Sequence, residues 1–428
     1  MHSSPCLQAC GRGFKIAKAK VAVLDRIHGA AVIAERMLDL GIEAQALEVY
    51  HSIPDLEAFD LVVYPVHLSP ENPALTESRR RGLPHITHHR AVGELLSTGM
   101  NPRPNFEMKV FEVTGTHSKT STALLLSRML SGQKSVISHT TRGIEAWYDG
   151  SSRLIQGGLS ITPGNVIKAM EAAEANGAEA LVCEISLGGT GIADFGILTS
   201  LSGDYMIAGR SKWASTAKLQ MLSLAKPGAK LVANTDCCLS CDLSFGERGK
   251  LWVDDAGLRL AGVAYPLNLS PDLDFPSYQT AISAAAAASL AAGLDVKEII
   301  SALEGFDGFS GRMKLSRVDG LDLYDSSNSG LKVADVAKAL DKACGGDVCL
   351  VVGEEAQTVC EGMDMPSLVR LLSERRDELK ELILVGERLL PWAECLRART
   401  APSFKSGEAL ARSLRGLEKI LLCVKCFR

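Results

Sequence analysis

The hydrophobic positions of the chain form short apolar runs separated by longer stretches with helical spacing. In the first part of the sequence these runs predict strands at residues 20–24, 44–50 and 61–64. A helix is predicted at residues 30–40, and a turn-rich segment is predicted after Tyr64, to about Asn105. Strands that alternate with helices across short loops are typical of a parallel, doubly wound sheet.

The same alternation continues through the rest of the chain in two further blocks. We therefore predict an α/β protein of three domains, at residues 1–106, 107–312 and 313–428. The second block predicts strands at residues 109–113, 180–185, 196–201 and 229–234, with helices at 123–130, 164–176, 278–292 and 296–303. The third block predicts strands at residues 321–324, 348–352, 382–385 and 420–424, with helices between them.

Composition and charge narrow the class of protein. The chain has 428 residues, which is too many for one core, and 46% hydrophobic and 22% charged residues are typical of a folded globular protein. A net charge of −4 gives no reason to expect a nucleic-acid or anionic membrane partner. The apolar runs are shorter than the roughly 20 residues that span a membrane, and lysines interrupt the N-terminal segment where a signal peptide would lie. We expect a cytoplasmic protein.

Two pairs of cysteines have the spacing of half a zinc site, Cys238 with Cys241 and Cys423 with Cys426. Neither pair has a second half nearby, and no histidine follows His139. Several cysteines, namely Cys183, Cys349 and Cys423, lie in apolar strand-like runs, where cysteine behaves as a small hydrophobic residue. A structural metal therefore stays the minor alternative.

Histidines are confined to the first third of the chain. All nine lie at or before residue 139, and His85, His88 and His89 fall in one polar segment. This segment is either a ligand-binding cluster or an ordinary polar loop, and the sequence leaves both open.

A short loop between a predicted strand and a predicted helix carries the candidate chemistry. Backbone N–H groups at the start of such a helix bind phosphate, and the side chain of Lys119 would reach the β- and γ-phosphates of ATP. The Thr120 hydroxyl would bind Mg²⁺. The loop departs from the usual pattern because Ser118 replaces the glycine before the lysine, so a plain strand-to-helix turn is the alternative. The predicted nucleotide-binding residues here are Gly115, Thr116, His117, Ser118, Lys119, Thr120 and Ser121.

Polar residues follow the later strands where a nucleotide site needs them. Glu184 ends a buried strand, from which a carboxylate can reach Mg²⁺, and Asn234 and Asp236 end another. Lys218 lies on the next helix, and Arg312 lies at the junction of two blocks, where a cation can stabilise phosphoryl transfer. Each residue alone has a structural alternative, but their order along one chain favours function.

The order of these segments resembles the Mur ligase superfamily. The loop is similar to the phosphate loop of that superfamily, Glu184-Ile-Ser to its Glu-x-Ser, and Lys218 falls where many members carry a carbamylated lysine. The resemblance extends to Asn234-x-Asp236, Gly311-Arg312-Met313, Tyr324-Asp325-Ser326 and Lys425-Cys-Phe-Arg428.

This resemblance implies a Rossmann-like N-terminal domain, a central P-loop ATPase-like domain and a Rossmann-like C-terminal domain. It implies ATP and Mg²⁺ as cofactors and the transfer of a phosphoryl group to a substrate carboxylate. Thr120 and Glu184 would hold the Mg²⁺, and Arg312 and Asp325 would join Asn234 and Asp236 in binding the nucleotide. The implied catalytic residues are Lys119, Glu184, Lys218 and Arg312.

Some positions depart from the cell-wall enzymes of the superfamily. Tyr205 replaces a histidine that helps to hold a second metal ion, Ser200 replaces an asparagine, and the first loop lacks the glycines that would hold a uridine diphosphate group. Instead, the Asp25-x-x-His28-Gly29 segment after the first strand and the string His139-Thr-Thr-Arg142-Gly143 resemble segments of the synthetases that complete coenzyme F-430, the nickel tetrapyrrole of methane-forming archaea. That resemblance implies a monomer or homodimer that binds a nickel tetrapyrrole through Asp25, His28, Gly29, His139 and Arg142.

In that group a propionate would be activated by ATP, and a carbon of the same macrocycle would attack it. Two alternatives stay open. One is a Mur-type amide ligase that adds an amino acid to a murein or pseudomurein precursor. The other is a nucleotide-gated tetrapyrrole carrier without turnover.

Overall fold

The computed structural model describes residues 19–99, 108–343, 345–355 and 362–426. Their contacts divide the chain into two compact units. The first unit comprises residues 1–119, 134–140 and 160–242, and the second comprises residues 120–133, 141–159 and 243–428. The predicted boundary at residues 106 and 107 lies outside the described residues, and the three predicted domain ranges stay predictions.

The first unit begins with a four-stranded parallel sheet in the order β2-β1-β3-β4. All four residues of β1 are buried, as expected for an inner parallel strand. The predicted parallel sheet is therefore confirmed in this part of the chain. The elements are β1 (Val21–Leu24), a 3-10 helix (Arg26–His28), α1 (Ala30–Asp39), β2 (Ala44–Leu47), β3 (Leu61–Tyr64), α2 (Pro73–Arg80), β4 (His85–Thr87) and α3 (His88–Gly99).

The predicted turn-rich segment before residue 105 is wrong, because α2, β4 and α3 lie within it. Helix α3 begins with three polar residues, so its apolar periodicity is difficult to recognise in the sequence. Its buried residues Ala91, Val92, Leu95 and Leu96 nevertheless have the spacing of one helical face. Helix α2 has Pro73 in its first turn and is capped by the side chain of Asn72, two features that also occur in turns.

Residues 109–303 contribute to both units. In the first unit five parallel strands follow the order β13-β10-β5-β9-β6. In the second unit β7 and β8 form an antiparallel hairpin, and β15, β16 and β17 pair antiparallel. The elements are β5 (Lys109–Thr114), α4 (Lys119–Leu130), β6 (Val136–Thr140), β7 (Gly143–Tyr148), β8 (Ser151–Gln156), α5 (Asn165–Ala175), β9 (Ala180–Glu184), β10 (Phe195–Leu198), β11 (Met206–Ile207), β12 (Lys212–Trp213), α6 (Ala214–Lys218), α7 (Gln220–Leu224), β13 (Lys230–Asn234), a 3-10 helix (Thr235–Cys237), β14 (Leu243–Phe245), β15 (Leu251–Asp254), β16 (Gly257–Leu260), β17 (Val263–Tyr265), α8 (Phe275–Ala291) and α9 (Val296–Leu303).

The second unit ends with a six-stranded sheet in the order β18-β19-β23-β20-β21-β22. The pair β18 and β19 is antiparallel, and the other pairs are parallel. No helix among the described residues is long and apolar enough to cross a membrane. The elements are β18 (Lys314–Val318), β19 (Leu321–Asp325), α10 (Val333–Ala343), β20 (Val348–Glu354), α11 (Met365–Glu374), a 3-10 helix (Arg376–Glu378), β21 (Glu381–Val385), a 3-10 helix (Glu387–Trp392), β22 (Arg399–Ala401), α12 (Phe404–Ser413) and β23 (Lys419–Lys425).

Candidate active site

The loop between β5 and α4 begins where three parallel strands end together. Val113 on β5 is in register with Glu184 on β9, and Thr114 is in register with Leu198 on β10. The carboxyl ends of parallel strands share one edge of the sheet, where open α/β folds bind ligands. Glu184 is 2% exposed and therefore lies buried beside the start of this phosphate loop, residues 115–118.

The phosphate loop is tied to the segment that follows β10. The backbone N–H of Thr116 donates to the carbonyl oxygen of Ser200 over 2.9 Å, and the Thr199 hydroxyl donates to the carbonyl oxygen of His117 over 2.6 Å. The His117 ring is also 3.1 Å from the Ser202 hydroxyl. The sequence analysis missed Thr199 and Ser202. The signal in the sequence was the polar pair Thr199 and Ser200, which directly follows the buried strand β10.

Two backbone conformations fix the shape of the phosphate loop. Gly115 has a φ of 149°, and a Cβ atom there would collide with the Thr199 hydroxyl and lie 3.0 Å from the backbone nitrogen of Ser200. Ser118 has a φ of 62°, in the left-handed region that glycine occupies easily. The serine at this position therefore keeps the backbone conformation that a glycine would give, at a cost of about 1–2 kcal/mol.

Asn234 and Asp236 also reach the segment after β10. The Asn234 amide donates to the carbonyl oxygen of Thr199 over 3.0 Å, and Asp236 accepts a hydrogen bond from the Ser200 hydroxyl. Two of the residues predicted to bind the nucleotide are thus connected to the phosphate loop through one segment.

Lys218 is completely buried, and it lies next to the tyrosine that replaces the superfamily histidine. Its ammonium donates to the carbonyl oxygen of Ser186 over 2.7 Å and lies 5.6 Å from the centre of the Tyr205 ring, within the range of a cation–π contact. Burial acts to raise the pKa of the adjacent Asp204, but hydrogen bonds from Ser215 and Tyr205 outweigh it and lower that pKa.

In the second unit, a small cavity brings three predicted site residues together: Thr120, Arg142 and Arg312. Arg312 donates to the Thr141 hydroxyl over 3.3 Å, and Arg142 forms an ion pair of 2.8 Å with Glu145. Burial raises the pKa of Glu145. The other residues that line the cavity are Leu124, Thr141, Ser310, Ser327, Asn328, Ser329 and Cys426.

Asp325 holds the turn that carries Arg312. One carboxylate oxygen accepts hydrogen bonds from the Ser310 hydroxyl over 3.1 Å and from the backbone N–H of Gly311 over 2.8 Å. The other accepts from the backbone N–H of Ser327 over 3.1 Å. Asp325 is therefore well placed to orient Arg312, and its predicted contact with the nucleotide stays a prediction.

In the N-terminal sheet, Asp25 gathers three side chains at the ends of neighbouring strands. Its buried Oδ2 lies 2.6 Å from Nδ1 of His28, 2.8 Å from the hydroxyl of Tyr50 and 3.2 Å from Nε2 of His67. Burial acts to raise the pKa of Asp25, but the hydrogen bonds from His28 and His67 hold it well below its usual range. The sequence analysis named Asp25 and His28 but missed Tyr50 and His67.

Gly29, the third predicted substrate residue of this loop, has a φ of 93°. A Cβ atom there would lie 2.9 Å from the Thr162 hydroxyl. Only glycine combines this backbone conformation with so close an approach.

The histidines of the polar segment do not converge on one point. His85 bonds the Ser78 hydroxyl over 2.7 Å, whereas Nε2 of His88 lies 3.0 Å from the carbonyl oxygen of Leu24. Burial lowers the pKa of His88 and His89 to about 3 and that of His139 to about 4. His139 is fully buried on β6, so its predicted contact with substrate stays a prediction.

The cysteine pairs gather no further metal ligands in the described part of the chain. Among the described residues, Cys238, Cys241, Cys423 and Cys426 form no disulfide. Within the described ranges, the group with metal-ligand spacing is Asp25, His28 and His67.

Comparison with known proteins identifies the family of this chain. Residues 315–426 match the family model described as the C-terminal domain of coenzyme F430 synthetase CfbE. The coenzyme F(430) synthetase of Methanosarcina acetivorans is 36% identical, over 96% of this chain and 99% of that protein. The chain belongs to the coenzyme F(430) synthetase family. This membership confirms the predicted family and the prediction of an ATP-dependent ligase.

Solved structures confirm the predicted Mur ligase architecture of this family member. MurF from Acinetobacter baumannii has a TM-score of 0.55 at 14% identity, covering 79% of this chain and 78% of that one. A second solved structure is the bifunctional folylpolyglutamate synthase/dihydrofolate synthase of Yersinia pestis, complexed with AMPPNP and a manganese ion. It has a TM-score of 0.55 at 15% identity, covering 79% of this chain and 90% of that one.

Proposed function

We propose that this chain activates a propionate carboxylate of a nickel seco-tetrapyrrole as an acyl phosphate and closes a carbocyclic ring to give coenzyme F430, with release of ADP and phosphate. The observation that carries the proposal is the 36% identity to a coenzyme F(430) synthetase across nearly the whole of both chains. The phosphate loop beside Glu184 supports it, because the reaction needs a bound nucleotide and a metal ion.

The nucleotide would lie against the phosphate loop, with Lys119 following the transferred γ-phosphoryl group. Thr120 and Glu184 would hold Mg²⁺, since a hydroxyl and a carboxylate are the oxygen ligands that this ion prefers. When bound, Mg²⁺ neutralises charge on the phosphates. Asn234 and Asp236 would bind the nucleoside, and Arg312, oriented by Asp325, would stabilise phosphate charge.

The protein contributes orientation and charge in this chemistry. A carboxylate resists nucleophilic attack because oxide is a poor leaving group, and phosphorylation replaces it with phosphate. The attacking carbon is tethered in the same molecule, so orientation alone can supply an effective molarity of about 10⁵–10⁸ M. Lys218, whose ammonium faces Tyr205, would add positive charge near Ser186.

The tetrapyrrole would bind through Asp25, His28 and Gly29 at the end of β1, with further contacts from His139 and Arg142. The cofactors of the reaction would be ATP and Mg²⁺ from the cytoplasm. We expect the enzyme to act there as a monomer or homodimer.

The test uses the purified chain with ATP, Mg²⁺ and the nickel seco-tetrapyrrole as the sole organic substrate. One ADP should form per macrocycle, and the product should be lighter than the substrate by one water. Addition of any amino acid should neither speed the reaction nor appear in the product. Incorporation of an amino acid would replace the proposal with an amide ligase, and binding without ADP release would replace it with a carrier.

An isotope label separates the acyl phosphate from other routes. With ¹⁸O in the propionate carboxylate, the released phosphate should carry one ¹⁸O atom, because the carboxylate oxygen leaves with phosphorus. Unlabelled phosphate would exclude the acyl phosphate, even if the ring closes.

A further inference from the structure

The group formed by Asp25, His28, Tyr50 and His67 has no task in phosphoryl transfer. Three donors converge on one carboxylate oxygen that is fully buried. Such a carboxylate is stabilised in its charged form, and it fixes the orientation of each ring that bonds to it.

The distances favour hydrogen bonds over a shared metal ion. Two protein ligands about 2.1 Å from one cation lie roughly 3 Å apart. The Asp25 oxygen and Nδ1 of His28 are 2.6 Å apart, which matches a charge-assisted hydrogen bond. The Tyr50 hydroxyl donates a hydrogen bond to the same Asp25 oxygen. The arrangement is therefore a carboxylate that orients two imidazoles.

The carboxylate also sets which nitrogen of His67 is basic. When Nε2 carries the proton that Asp25 accepts, the lone pair lies on Nδ1. The hydrogen bond between Nε2 and the Asp25 carboxylate leaves Nδ1 available to take a proton. This is the pairing by which aspartate supports a histidine base in hydrolases.

His67 lies at the wall of an open cavity in the first unit. The cavity has a volume of about 380 Å³ and is lined by Tyr50, His67, Leu68, Ser69, Glu71, Asn72 and Gly209. The His67 side chain is 27% exposed, whereas that of His28 is 15% exposed and packs edge-on against His67, with ring centres 4.6 Å apart. A cavity of this size falls within the range of small-molecule binding sites.

The segment that carries His67 shares a buried cluster with the segment that follows β9. Val66, the neighbour of His67, belongs to the same hydrophobic cluster as Leu187 and Ala217. Leu187 follows Ser186, whose carbonyl oxygen accepts a hydrogen bond from the Lys218 ammonium, and Glu184 lies two residues before Ser186.

We propose that His67 is the catalytic base of ring closure, oriented by Asp25. This proposal rests on the proposed function. The attacking carbon of the macrocycle forms a bond to the acyl carbon while the bond from that carbon to the phosphate oxygen breaks, and phosphate leaves with the electron pair. The proton of the attacking carbon passes to Nδ1 of His67 and then to water, so no oxidant or further reactant is required.

Hydroxylamine trapping separates activation from ring closure. The acyl phosphate reacts with hydroxylamine to a hydroxamate, which reports the step before the base acts. In His67→Gln we expect hydroxamate formation within about twofold of wild type and ring closure slower by about 10²–10⁴-fold, the usual contribution of a general base. Ring closure at the wild-type rate would overturn the proposal, and so would loss of the hydroxamate together with ring closure.

Matched variants exclude a general structural effect. His51→Gln changes an exposed histidine between β2 and β3 and should leave both steps unchanged. In His67→Ala, added imidazole should restore part of the ring closure, because a free base can enter the space left by the ring. Failure of imidazole to restore any activity to a folded His67→Ala protein would contradict a base.

The absorption spectrum distinguishes a base from a nickel ligand. Without ATP, the bound macrocycle should give the same spectrum with wild type and His67→Gln. A spectral difference would assign His67 to the nickel and overturn the proposal. If wild type forms no hydroxamate at all, the proposed function itself fails, which is a separate outcome.

Discussion

The Thr199 hydroxyl donates a 2.6 Å hydrogen bond to the carbonyl oxygen of His117, and this bond fastens the phosphate loop to the end of the neighbouring strand. The loop residue and its partner are 82 positions apart in the sequence. The conformation of the loop therefore depends on a contact that no local pattern contains.

Thr199→Val keeps the size of the side chain and removes this bond. We expect the KM for ATP to rise about 5- to 13-fold, in line with about 1–1.5 kcal/mol for one hydrogen bond. Thr122→Val is the control, since the buried Thr122 hydroxyl has no hydrogen-bond partner in the described part of the structure. It should leave KM unchanged and should not lower the thermal midpoint. Equal KM values for both variants would show that the bond is irrelevant to the loop.

Lys119→Ala should reduce turnover by about 10²–10³-fold or more, because it removes the cation predicted to follow the γ-phosphoryl group. ADP release measures the effect. Lys297→Ala removes an exposed lysine of α9 and should behave as wild type. A Lys119→Ala enzyme with most of its activity would refute the assignment of the phosphate loop.

Glu184→Gln keeps the size of the side chain and removes a charge that would bind Mg²⁺. Half-maximal activity should then need at least about tenfold more Mg²⁺, while ATP binding changes less. Glu171→Gln, at an exposed position on α5, is the control. Superimposable Mg²⁺ titrations of Glu184→Gln and wild type would make Glu184 structural.

Ser118→Gly should stabilise the protein slightly and keep its activity. Glycine removes the penalty of about 1–2 kcal/mol for the left-handed backbone conformation. The larger conformational entropy of glycine in the unfolded chain offsets about 0.5–1 kcal/mol of this gain in folding free energy. Thermal unfolding measures the net gain. Ser373→Gly in α11 is the matched control and should destabilise the protein, because glycine is a poorer helix former than serine. A loss of stability in Ser118→Gly would contradict the described φ.

His89 should make the protein sensitive to acid. Its pKa is lowered to about 3, first by burial and then by the nearby charges of His88, His67 and Lys218. The unfolded chain, with a usual histidine pKa of about 6.5, therefore binds more protons, and stability falls as the pH drops below about 6.5. The loss from this one group approaches about 1.4 kcal/mol per pH unit until the pH nears 3.

Replacement of His89 by phenylalanine should remove this share of the pH dependence. Urea midpoints at pH 7.5 and 5.5 should differ less in His89→Phe than in wild type. The exposed His51→Phe should retain the full difference. An unchanged difference in His89→Phe would mean that the ring is not buried in its neutral form.

The sequence by itself determined the strands around the phosphate loop, the loop and its lysine, and the order of the polar residues that follow later strands. These features are local, because apolar runs specify buried strands and a helix begins directly after the loop. The family resemblance rested on the same local strings, and a relative that aligns over nearly the whole of both chains confirmed it. Helix α3 escaped prediction because its polar first turn and Gly93 obscured the apolar spacing.

Only the tertiary structure decided which distant residues meet. Asp25 and His67 are 42 positions apart and come together because β1 and β3 are neighbouring parallel strands with their carboxyl ends at one edge. The structure also separated His85, His88 and His89, which adjacency in sequence had grouped, because strand and helix geometry points their rings in different directions. Pairing between strands joins segments across long stretches of chain, and a one-dimensional pattern does not record that pairing.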